Sequence, residues 1–292
     1  MKLKDEIKKY AIEHLDMDYC GFANVDRFSG APEGTRPTDL LPGAKSVVVM
    51  AVKLSLGAVQ TVFRAHEDGL RAAQCIYGSY AYSLYPNYYL KFAAYSMARF
   101  LEKKGYMSTP VPSGPGSAGA PFSNRHAAVA AGIGDFGWLS IVITPDYGPR
   151  IRIVSVITRA EIEPDPMYSG PTLCDPQKCG ICIRICPMGA ISATRSKTVK
   201  MGDREFTYGW VDFPKCMIGT QGLSTKTLGL KDIPMPENPT GQDVAKMQEQ
   251  MDPRQRGEMI GGVSAYHCGK CLAYCPVGPK DWLKTVSSLK SI

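Results

Sequence analysis

The spacing of apolar residues divides the first part of the chain into helical and extended segments. An amphipathic helix over 2–15 is predicted by four apolar residues at helical spacing, namely Leu3, Ile7, Ala11 and Leu15. The unbroken apolar run at 47–52 follows a turn and predicts a buried strand. From 62 to 104 the pattern is mainly helical, with a break near Pro86 and an end at Gly105.

In the middle of the chain, segments rich in Pro and Gly alternate with segments that have helix or strand periodicity. Residues 107–124 are rich in Pro, Gly and Ser and predict a loop, and the following segment at 124–131 predicts a helix. The stretches 140–143 and 151–157 have the apolar alternation of strands, and the turn sequence at 145–148 joins them.

Composition changes at 163–166, where acidic residues alternate with prolines. The change predicts a domain boundary, with an α/β core over 1–165 and a second unit over 166–292 that contains most of the cysteines. Within the second unit, one further helix is predicted over 243–251. The predicted fold class is α+β.

Eight of the ten cysteines form two copies of one pattern, and each copy closes in Cys-Pro. The first copy contains Cys174, Cys179, Cys182 and Cys186, and the second contains Cys268, Cys271 and Cys275 with Cys216 upstream. In two-cluster ferredoxins, three closely spaced thiolates bind one iron-sulfur cluster, and the cysteine before proline binds the other cluster. The pattern therefore predicts two [4Fe-4S] clusters and one-electron transfer.

The same rule assigns the ligands of each cluster. One predicted set contains Cys174, Cys179, Cys182 and Cys275, and the other contains Cys216, Cys268, Cys271 and Cys186. Structural zinc uses similar cysteine pairs but does not require paired Cys-Pro endings. The opening spacing Cys174-x4-Cys179-x2-Cys182 is typical of plant-type two-iron sites, which would leave the second copy unexplained. Disulfides are disfavoured in a chain that has no visible export signal.

Charge and hydrophobicity limit the classes of partner that the chain is expected to bind. The chain has 292 residues, 44% of them hydrophobic, and a formal net charge of +7. Two oxidised clusters of about −2 each would lower that charge to about +3. The scattered basic residues Arg195, Lys197, Lys200 and Arg204 therefore indicate a solvated face or a docking face for an acidic electron donor. No apolar run reaches the ~20 residues that cross a bilayer, so we expect a cytoplasmic protein with no membrane partner.

A glycine-rich segment precedes the cysteines. Gly132, Gly134 and Gly137 lie between Arg125 and Thr158 and allow the backbone to approach a planar ligand or another strand. The run 125–158, the later run 210–216 and the two Cys-Pro motifs together resemble the cobalamin-dependent iron-sulfur reductases. That group comprises reductive dehalogenases and epoxyqueuosine reductases, and the glycine-rich run resembles the dehalogenase side more closely.

The resemblance implies a nitroreductase-like α/β core that holds a corrinoid, followed by a ferredoxin-like module whose two clusters supply its electrons. FMN in the same core is the alternative cofactor. The implied partners are a low-potential electron donor such as ferredoxin or flavodoxin and a small-molecule substrate. An electron-transfer or metallocentre-activation protein without a substrate of its own is a further alternative.

The resemblance also suggests site residues. Tyr80 or Tyr82 is the candidate proton donor, with Arg125 as its basic support, because dehalogenases are proposed to use such a pair. The candidate cofactor-binding residues are Gly132, Gly134, Gly137, Trp138 and Trp210.

Epoxyqueuosine reductases place an aspartate before the glycine-rich run, whereas 105–134 contains no Asp or Glu. The chain also stops soon after Pro276, without the helical repeats that help that branch hold tRNA. A nucleic acid substrate is therefore expected to be unlikely, and reduction of a carbon–heteroatom bond is the favoured activity.

Overall fold

The computed structural model describes residues 2–82, 85–113, 121–257, 259–260, 263–264 and 267–285. Its α-helices, in chain order from α1 to α12, are Leu3–Lys9, Pro37–Leu40, Leu56–His66, Gln74–Tyr77, Tyr85–Lys103, Asn124–Ala130, Ile181–Ile185, Phe213–Thr220, Gly241–Glu249, Pro253–Gly257, Lys270–Ala273 and Trp282–Thr285. Its strands, from β1 to β10, are Tyr19–Asn24, Ser46–Lys53, Ser108–Val111, Asp135–Phe136, Val142–Ile143, Ile151–Thr158, Ile191–Met201, Arg204–Val211, Met259–Ile260 and Val263–Ser264.

A four-stranded antiparallel sheet in the order β1-β2-β6-β3 forms the centre of the front half. Because side chains alternate across a strand, β2 supplies two hydrophobic clusters. Val48 and Met50 pack with α1 and α5 on one face, whereas Val47 and Val49 pack with α6 on the other. Burial on both faces explains why β2 is apolar without alternation.

Several sequence predictions are confirmed here. The opening helix is α1 and continues as a π-helical turn over Tyr10–His14, with Ile7 and Ala11 fully buried. The strand predicted at 47–52 is β2, and the helices predicted at 124–131 and 243–251 are α6 and α9.

The predicted loop at 107–124 is wrong at its start. Ser108–Val111 forms β3, which pairs with β6 at the edge of the central sheet. An edge position tolerates Pro110. Proline has no N–H to donate, and an edge strand has a partner strand on one side only, so its other side needs no hydrogen bonds. The rest of the predicted loop lies partly outside the described residues, at 114–120.

The helical region from 62 to 104 is interrupted earlier than predicted. α3 ends at His66, and α5 begins at Tyr85, which places Pro86 in the first turn of a helix. Proline is tolerated there because the first N–H groups of a helix have no intrahelical partner. The last turn of α5 ends at Lys103, just before the predicted stop at Gly105.

The two strands on either side of the turn at 145–148 belong to different sheets. β5 pairs with β4, whereas β6 pairs with β2 and β3 in the central sheet. Thr144 and Gly148 form an isolated bridge between them. The alternation of apolar residues thus predicted the strands, and the pairing depends on contacts distant in sequence.

The back half packs against the front half through several sets of contacts. The β7–β8 hairpin contributes Met201, Phe206 and Tyr208 to the cluster beneath α6. Leu272 and Trp282 pack with Phe63 of α3. None of the helices in the described ranges is long and apolar enough to cross a membrane. The division of the chain at residue 165 stays a prediction.

Candidate iron-sulfur centre

The first predicted cysteine set converges from the loop before α7 and from the far end of the chain. Burial raises the pKa of the Cys182 thiol to about 12, and the nearby thiols of Cys174, Cys275 and Cys179 raise it further. The pKa of Cys275 is raised to about 11 by burial, with added effects of Cys174 and Cys179. These four side chains are therefore neighbours in space, although about 100 residues separate their ends.

The second predicted set converges in the same way. Burial raises the pKa of Cys216, on α8, to about 12, and the thiols of Cys268 and Cys186 add to this. Cys271 is buried beside the other three members of its set and beside Cys182 of the first set. The structure thus brings together the eight cysteines as two adjacent groups, in the combination that the motif order predicts.

The two copies of the motif share a backbone conformation that the sequence reading overlooked. Gly180 and Gly269 follow Cys179 and Cys268, and both have left-handed φ angles, of 60° and 66°. Glycine adopts this conformation without the Cβ penalty. In each copy the chain then enters a short helix, α7 or α11, and these two helices pack against each other. The repeated Cys-Gly-x-Cys was the available signal.

Each motif ends at a proline, and the structure shows the effect for the first copy. Cys186 ends α7 in an extended conformation, with φ −67° and ψ 109°. Proline at position 187 enforces this, because its ring disfavours helical geometry in the preceding residue. The Cys186 side chain is thereby directed to the second set. A backbone N–H from Ala190 donates to its sulfur at 3.3 Å.

The number and the order of the cysteines fit two clusters better than a single ion. Within the described residues, no three histidine, cysteine or acidic side chains are placed to hold one metal ion. A mononuclear zinc site needs four ligand atoms within about 2.3 Å of one centre. In a four-iron cluster each thiolate binds a different iron, so the four sulfur atoms stand further apart. The donor set therefore fits two [4Fe-4S] clusters, and the ligand roles remain predictions.

The cysteines lie in an apolar environment. Leu139, Ile143 and Ile191 are buried against the first set, and Trp138 packs beside them. The backbone N–H of Trp138 donates to the Cys174 sulfur at 3.3 Å. Apolar shells and N–H···S hydrogen bonds are two of the means by which proteins set cluster potentials.

Arg150, at the start of β6, fastens the last ligand loop to the front half. Its side chain is fully buried and donates to the backbone carbonyls of Ala273, Cys275 and Val277. Burial lowers its pKa to about 10, against the opposing effect of the Cys275 thiol. Sequence reasoning missed this residue, because an arginine just before a strand gives no signal of its distant partners.

The described hydrogen bonds of Arg125 go to a partner other than the predicted tyrosine, and its role stays a prediction. Arg125 donates to the carbonyl and hydroxyl oxygens of Ser140 and therefore supports the turn that carries Trp138. Tyr80 is mostly exposed, and its ring is tilted relative to that of Tyr85, with centroids 6.4 Å apart. Neither contact of Arg125 reaches a tyrosine on the 78–82 turn, because that turn lies against the second cysteine set.

Tyr82 is the one of the two candidate donors that faces the cysteines. Its ring stacks on His267 with centroids 4.0 Å apart, and the guanidinium of Arg152 lies 5.1 Å from its centroid. Burial raises its pKa, with a further contribution from the Cys216 thiol. Arg152 therefore stands where Arg125 was expected. His267, immediately before Cys268, was the overlooked sequence signal.

The glycines proposed for cofactor binding approach the protein itself. A Cβ at Gly132 would collide with the carbonyl of Pro166, and one at Gly134 would collide with the carbonyl of Ile143. At Gly137 it would collide with the side chain of Ile143. Of the two interpretations that the sequence allowed, close approach to another segment is the one that the packing explains.

The two predicted tryptophans have separate environments. The indole N–H of Trp138 donates to the Ser192 carbonyl at 2.8 Å, which joins the glycine-rich turn to β7. Trp210 on β8 lies under the guanidinium of Arg195, 3.7 Å from its ring centroid. Trp138 thus contacts the cysteine region directly, whereas the described contact of Trp210 is a cation–π pair.

A surface cavity of about 570 Å³ lies elsewhere, among Lys8, Tyr19, Cys20, Gly132 and Asp165. Gly132 lines it, but none of the eight motif cysteines does. No observed feature of the cavity relates it to a corrinoid or to a flavin. The grouping of the cysteines is compatible with the predicted clusters, and this cavity is not linked to them by any of its lining residues.

Comparison with known proteins relates the chain to two groups of reductases. It is 33% identical over 132 residues to the tetrachloroethene reductive dehalogenase of Desulfitobacterium hafniense, a match covering 42% of this chain and 22% of that protein. It is 27% identical over 192 residues to the epoxyqueuosine reductase of Bacillus cereus, covering 64% of this chain and 46% of that protein. The matches thus span less than half the length of these relatives. No protein-family model matches the chain.

Solved structures give the same two groups. A selenomethionine-labelled epoxyqueuosine reductase aligns with a TM-score of 0.56 and 21% identity, over 94% of this chain and 65% of that one. A catabolic reductive dehalogenase in complex with 3-bromo-4-hydroxybenzoic acid aligns with a TM-score of 0.51 and 16% identity, over 86% and 34%. The mixed α+β fold and the resemblance to both groups are confirmed.

One sequence expectation requires correction. A nucleic acid substrate was expected to be unlikely, but an epoxyqueuosine reductase bound to a tRNA stem loop shares this fold, with a TM-score of 0.52 and 20% identity. The alignment to epoxyqueuosine reductases also covers more of the chain than the dehalogenase alignment does. The missing acidic residue at 105–134 is a single local difference and does not exclude this substrate class.

Proposed function

We propose that the chain is an iron-sulfur reductase that passes electrons from two [4Fe-4S] clusters to a second cofactor, which reduces a carbon–heteroatom bond. One observation carries the proposal. Eight cysteines from distant segments converge as the two sets that the crossed ferredoxin motif requires. The relatives are named reductases, which supports an oxidoreductase activity.

The clusters would supply one-electron transfer at low potential. Cys174, Cys179, Cys182 and Cys275 would hold one cluster, and Cys216, Cys268, Cys271 and Cys186 the other. The contact between α7 and α11 would hold the two clusters next to each other. The chain's own part is to exclude water, through residues such as Leu139 and Ile143, and to fix the ligand loops.

The architecture in this proposal is a nitroreductase-like core over 1–165 and a ferredoxin-like module over 166–292. The second cofactor is proposed to be cobalamin, because the resemblance to both reductase groups favours it. FMN is the alternative. A cytoplasmic location and a donor such as ferredoxin or flavodoxin belong to the same proposal.

Tyr82 is the proposed proton donor. Its hydroxyl is protonated at neutral pH, as in any tyrosine, and it is buried beside the Cys216, Cys268 and Cys271 thiols. Arg152 would orient it, since the guanidinium donates to the Tyr82 carbonyl at 3.0 Å. Tyr80 lacks this environment.

A second candidate function is reduction of epoxyqueuosine in tRNA. It is supported by the longer alignment to epoxyqueuosine reductases, over 64% of the chain. The dehalogenase-like function is supported by the higher identity of 33% within a shorter stretch. The two candidates differ in substrate and share the proposed cofactors.

One anaerobic experiment tests the proposal in stages. The purified protein is analysed for iron, with about eight atoms per chain expected from two cubes. It is then reconstituted with cobalamin and, separately, with FMN, and retained cofactor is measured by absorption. Halogenated phenols and epoxyqueuosine tRNA are finally supplied with a chemical reductant. Two clusters with no retained second cofactor would instead indicate an electron-transfer protein, and zinc in place of iron would refute the proposal.

A further inference from the structure

Helix α5 exposes a row of large aromatic side chains. Tyr85, Tyr88, Phe92 and Tyr95 are 65%, 50%, 69% and 53% exposed. The opposite side of the same helix, including Leu90 and Met97, is fully buried against the central sheet. A surface helix is normally polar on the side away from the core. Exposed aromatic rows of this kind mark interaction surfaces.

The row follows the spacing of a helix–helix seam. Its members are separated by three, four and three residues, which is the spacing of the a and d positions of a heptad. On a helix with 3.6 residues per turn they fall within an arc of roughly 80°. The next two positions of the same seam are Arg99 and Glu102, which are both exposed. The seam therefore continues over the whole of α5.

The seam is complementary to itself when two copies of α5 run in opposite directions. Phe92 of one copy then lies opposite Tyr95 of the other, and Tyr88 lies opposite Arg99. Both pairs occur twice, as a two-fold axis requires. The guanidinium of Arg99 already lies 5.7 Å from the ring centroid of Tyr95 in its own chain, so it stands in an aromatic environment.

The charges also suit this partner. In the antiparallel arrangement Arg99 faces an aromatic ring and Glu102 faces the hydroxyl-bearing Tyr85, so like charges are not brought together in the seam. A cation over an aromatic face is electrostatically favourable. A parallel arrangement would instead bring the two copies of Arg99 together.

The exposed surface is of a suitable size. Each large aromatic side chain can bury about 150–250 Å², so the four rings offer roughly 400–600 Å² per copy. A stable interface buries about 800 Å² per partner. The aromatic row would form the apolar centre of such an interface, and Arg99, Glu102 and Lys91 would form its polar rim.

We propose that α5 is a homodimer interface, in which the helices of two copies pack antiparallel with Phe92 opposite Tyr95. The proposal is independent of the reaction that the chain catalyses. Dimerisation would remove the aromatic row from water and would leave the buried face of α5 unchanged.

Sedimentation of the anaerobically purified protein tests the interface. The unaltered chain is expected to be a dimer at micromolar concentration, and Phe92→Asp is expected to weaken the dimer by about 100-fold or more, because two central contacts are lost at once. Met107→Asp is the matched control, since Met107 is 52% exposed but outside α5. A monomeric unaltered chain, or a Phe92→Asp protein that dimerises normally, would overturn the proposal.

Mixing of variants tests the register. Tyr95→Lys is combined with Phe92→Asp, and a heterodimer is expected because lysine and aspartate would face each other across the axis. Tyr88→Lys combined with Phe92→Asp is expected to give no such rescue. Rescue by Tyr88→Lys in place of Tyr95→Lys would contradict the proposed pairing. Circular dichroism of each variant confirms that α5 remains folded.

Discussion

The guanidinium of Arg150 donates a hydrogen bond to the backbone carbonyl of Cys275. This contact joins the residue just before β6 to a cysteine 125 positions later in the chain. The arginine is fully buried, and its other bonds go to the carbonyls of Ala273 and Val277 in the same loop and to that of nearby Tyr147. The position of the last predicted cluster ligand is therefore set by the front half.

Replacing Arg150 by methionine should release this loop. Three buried carbonyls would lose their donor, at about 1–3 kcal/mol for each unsatisfied group. We expect the free energy of unfolding to fall by roughly 3 kcal/mol or more, with loss of iron from the cluster of Cys275. Chemical denaturation and iron analysis measure both effects.

Arg159→Met is the matched control for this prediction. Arg159 is exposed and donates to the Pro42 carbonyl at 2.8 Å, so its loss should change stability by about 0.5 kcal/mol or less. Equal effects of the two substitutions would contradict the role of Arg150.

Replacing Cys216 by serine should affect one cluster. Cys216 lies with Cys268 and Cys186, so the second cluster should be lost while the first keeps about four iron atoms. Iron analysis and the electron paramagnetic spectrum of the reduced protein distinguish the two clusters. Cys75→Ser, outside both motifs, should retain all of the iron. Complete loss of iron from Cys216→Ser alone would mean that the proposed pairing is wrong or that the module folds only with both clusters present.

A methyl group at Gly269 should disturb the second motif by collision. Gly269 has a φ of 66°, and a Cβ there would strike the ring of buried Tyr77. Gly189 has a φ of 57° with nothing within 4 Å of the added carbon. Both alanine variants should lose about 1 kcal/mol to backbone strain, and Gly269→Ala should lose several times more. Thermal unfolding measures the stability of both variants. Equal losses of stability in Gly269→Ala and Gly189→Ala would refute this explanation.

Stability should fall in mild acid because of buried histidines. Burial lowers the pKa of His126 to about 4, and nearby Arg125 and Lys197 lower it further. Between about pH 6.5 and pH 4 the unfolded chain binds a proton that the folded protein does not bind, so lowering the pH favours unfolding. The slope should be up to about 1.4 kcal/mol per pH unit for this residue.

His126→Gln tests the origin of that slope. Denaturation at several pH values should show that the free energy of unfolding depends less steeply on pH, because unfolding then takes up as much as one proton fewer. His14→Gln, at an exposed position, is the comparison substitution. An unaltered slope in His126→Gln would assign the acid sensitivity to other groups.

Tyr82→Phe should separate proton donation from electron delivery. If Tyr82 is the donor, turnover should fall by about 10²–10⁴-fold, while chemical reduction of the clusters is unchanged. Tyr80→Phe should retain activity, because Tyr80 is exposed and remote from the described cysteine contacts. Similar turnover in both variants would exclude Tyr82 from this role.

Short-range patterns carried most of the successful predictions. Apolar spacing gave α1, β2, α6 and α9, because helix and strand periods are properties of neighbouring residues. It missed β3, since a Pro-containing edge strand at 108–111 resembles a loop until its partner β6 is known.

By itself the sequence determined the cysteine grouping, because ligand spacing and the proline after each motif are local chemical constraints. Only the tertiary structure decided that Arg150 holds the Cys275 loop and that Arg152 lies beside Tyr82, where Arg125 was expected. It also decided that the aromatic side of α5 faces solvent. Such contacts join residues far apart in the chain, and they depend on packing that the periodicity of a single segment does not record.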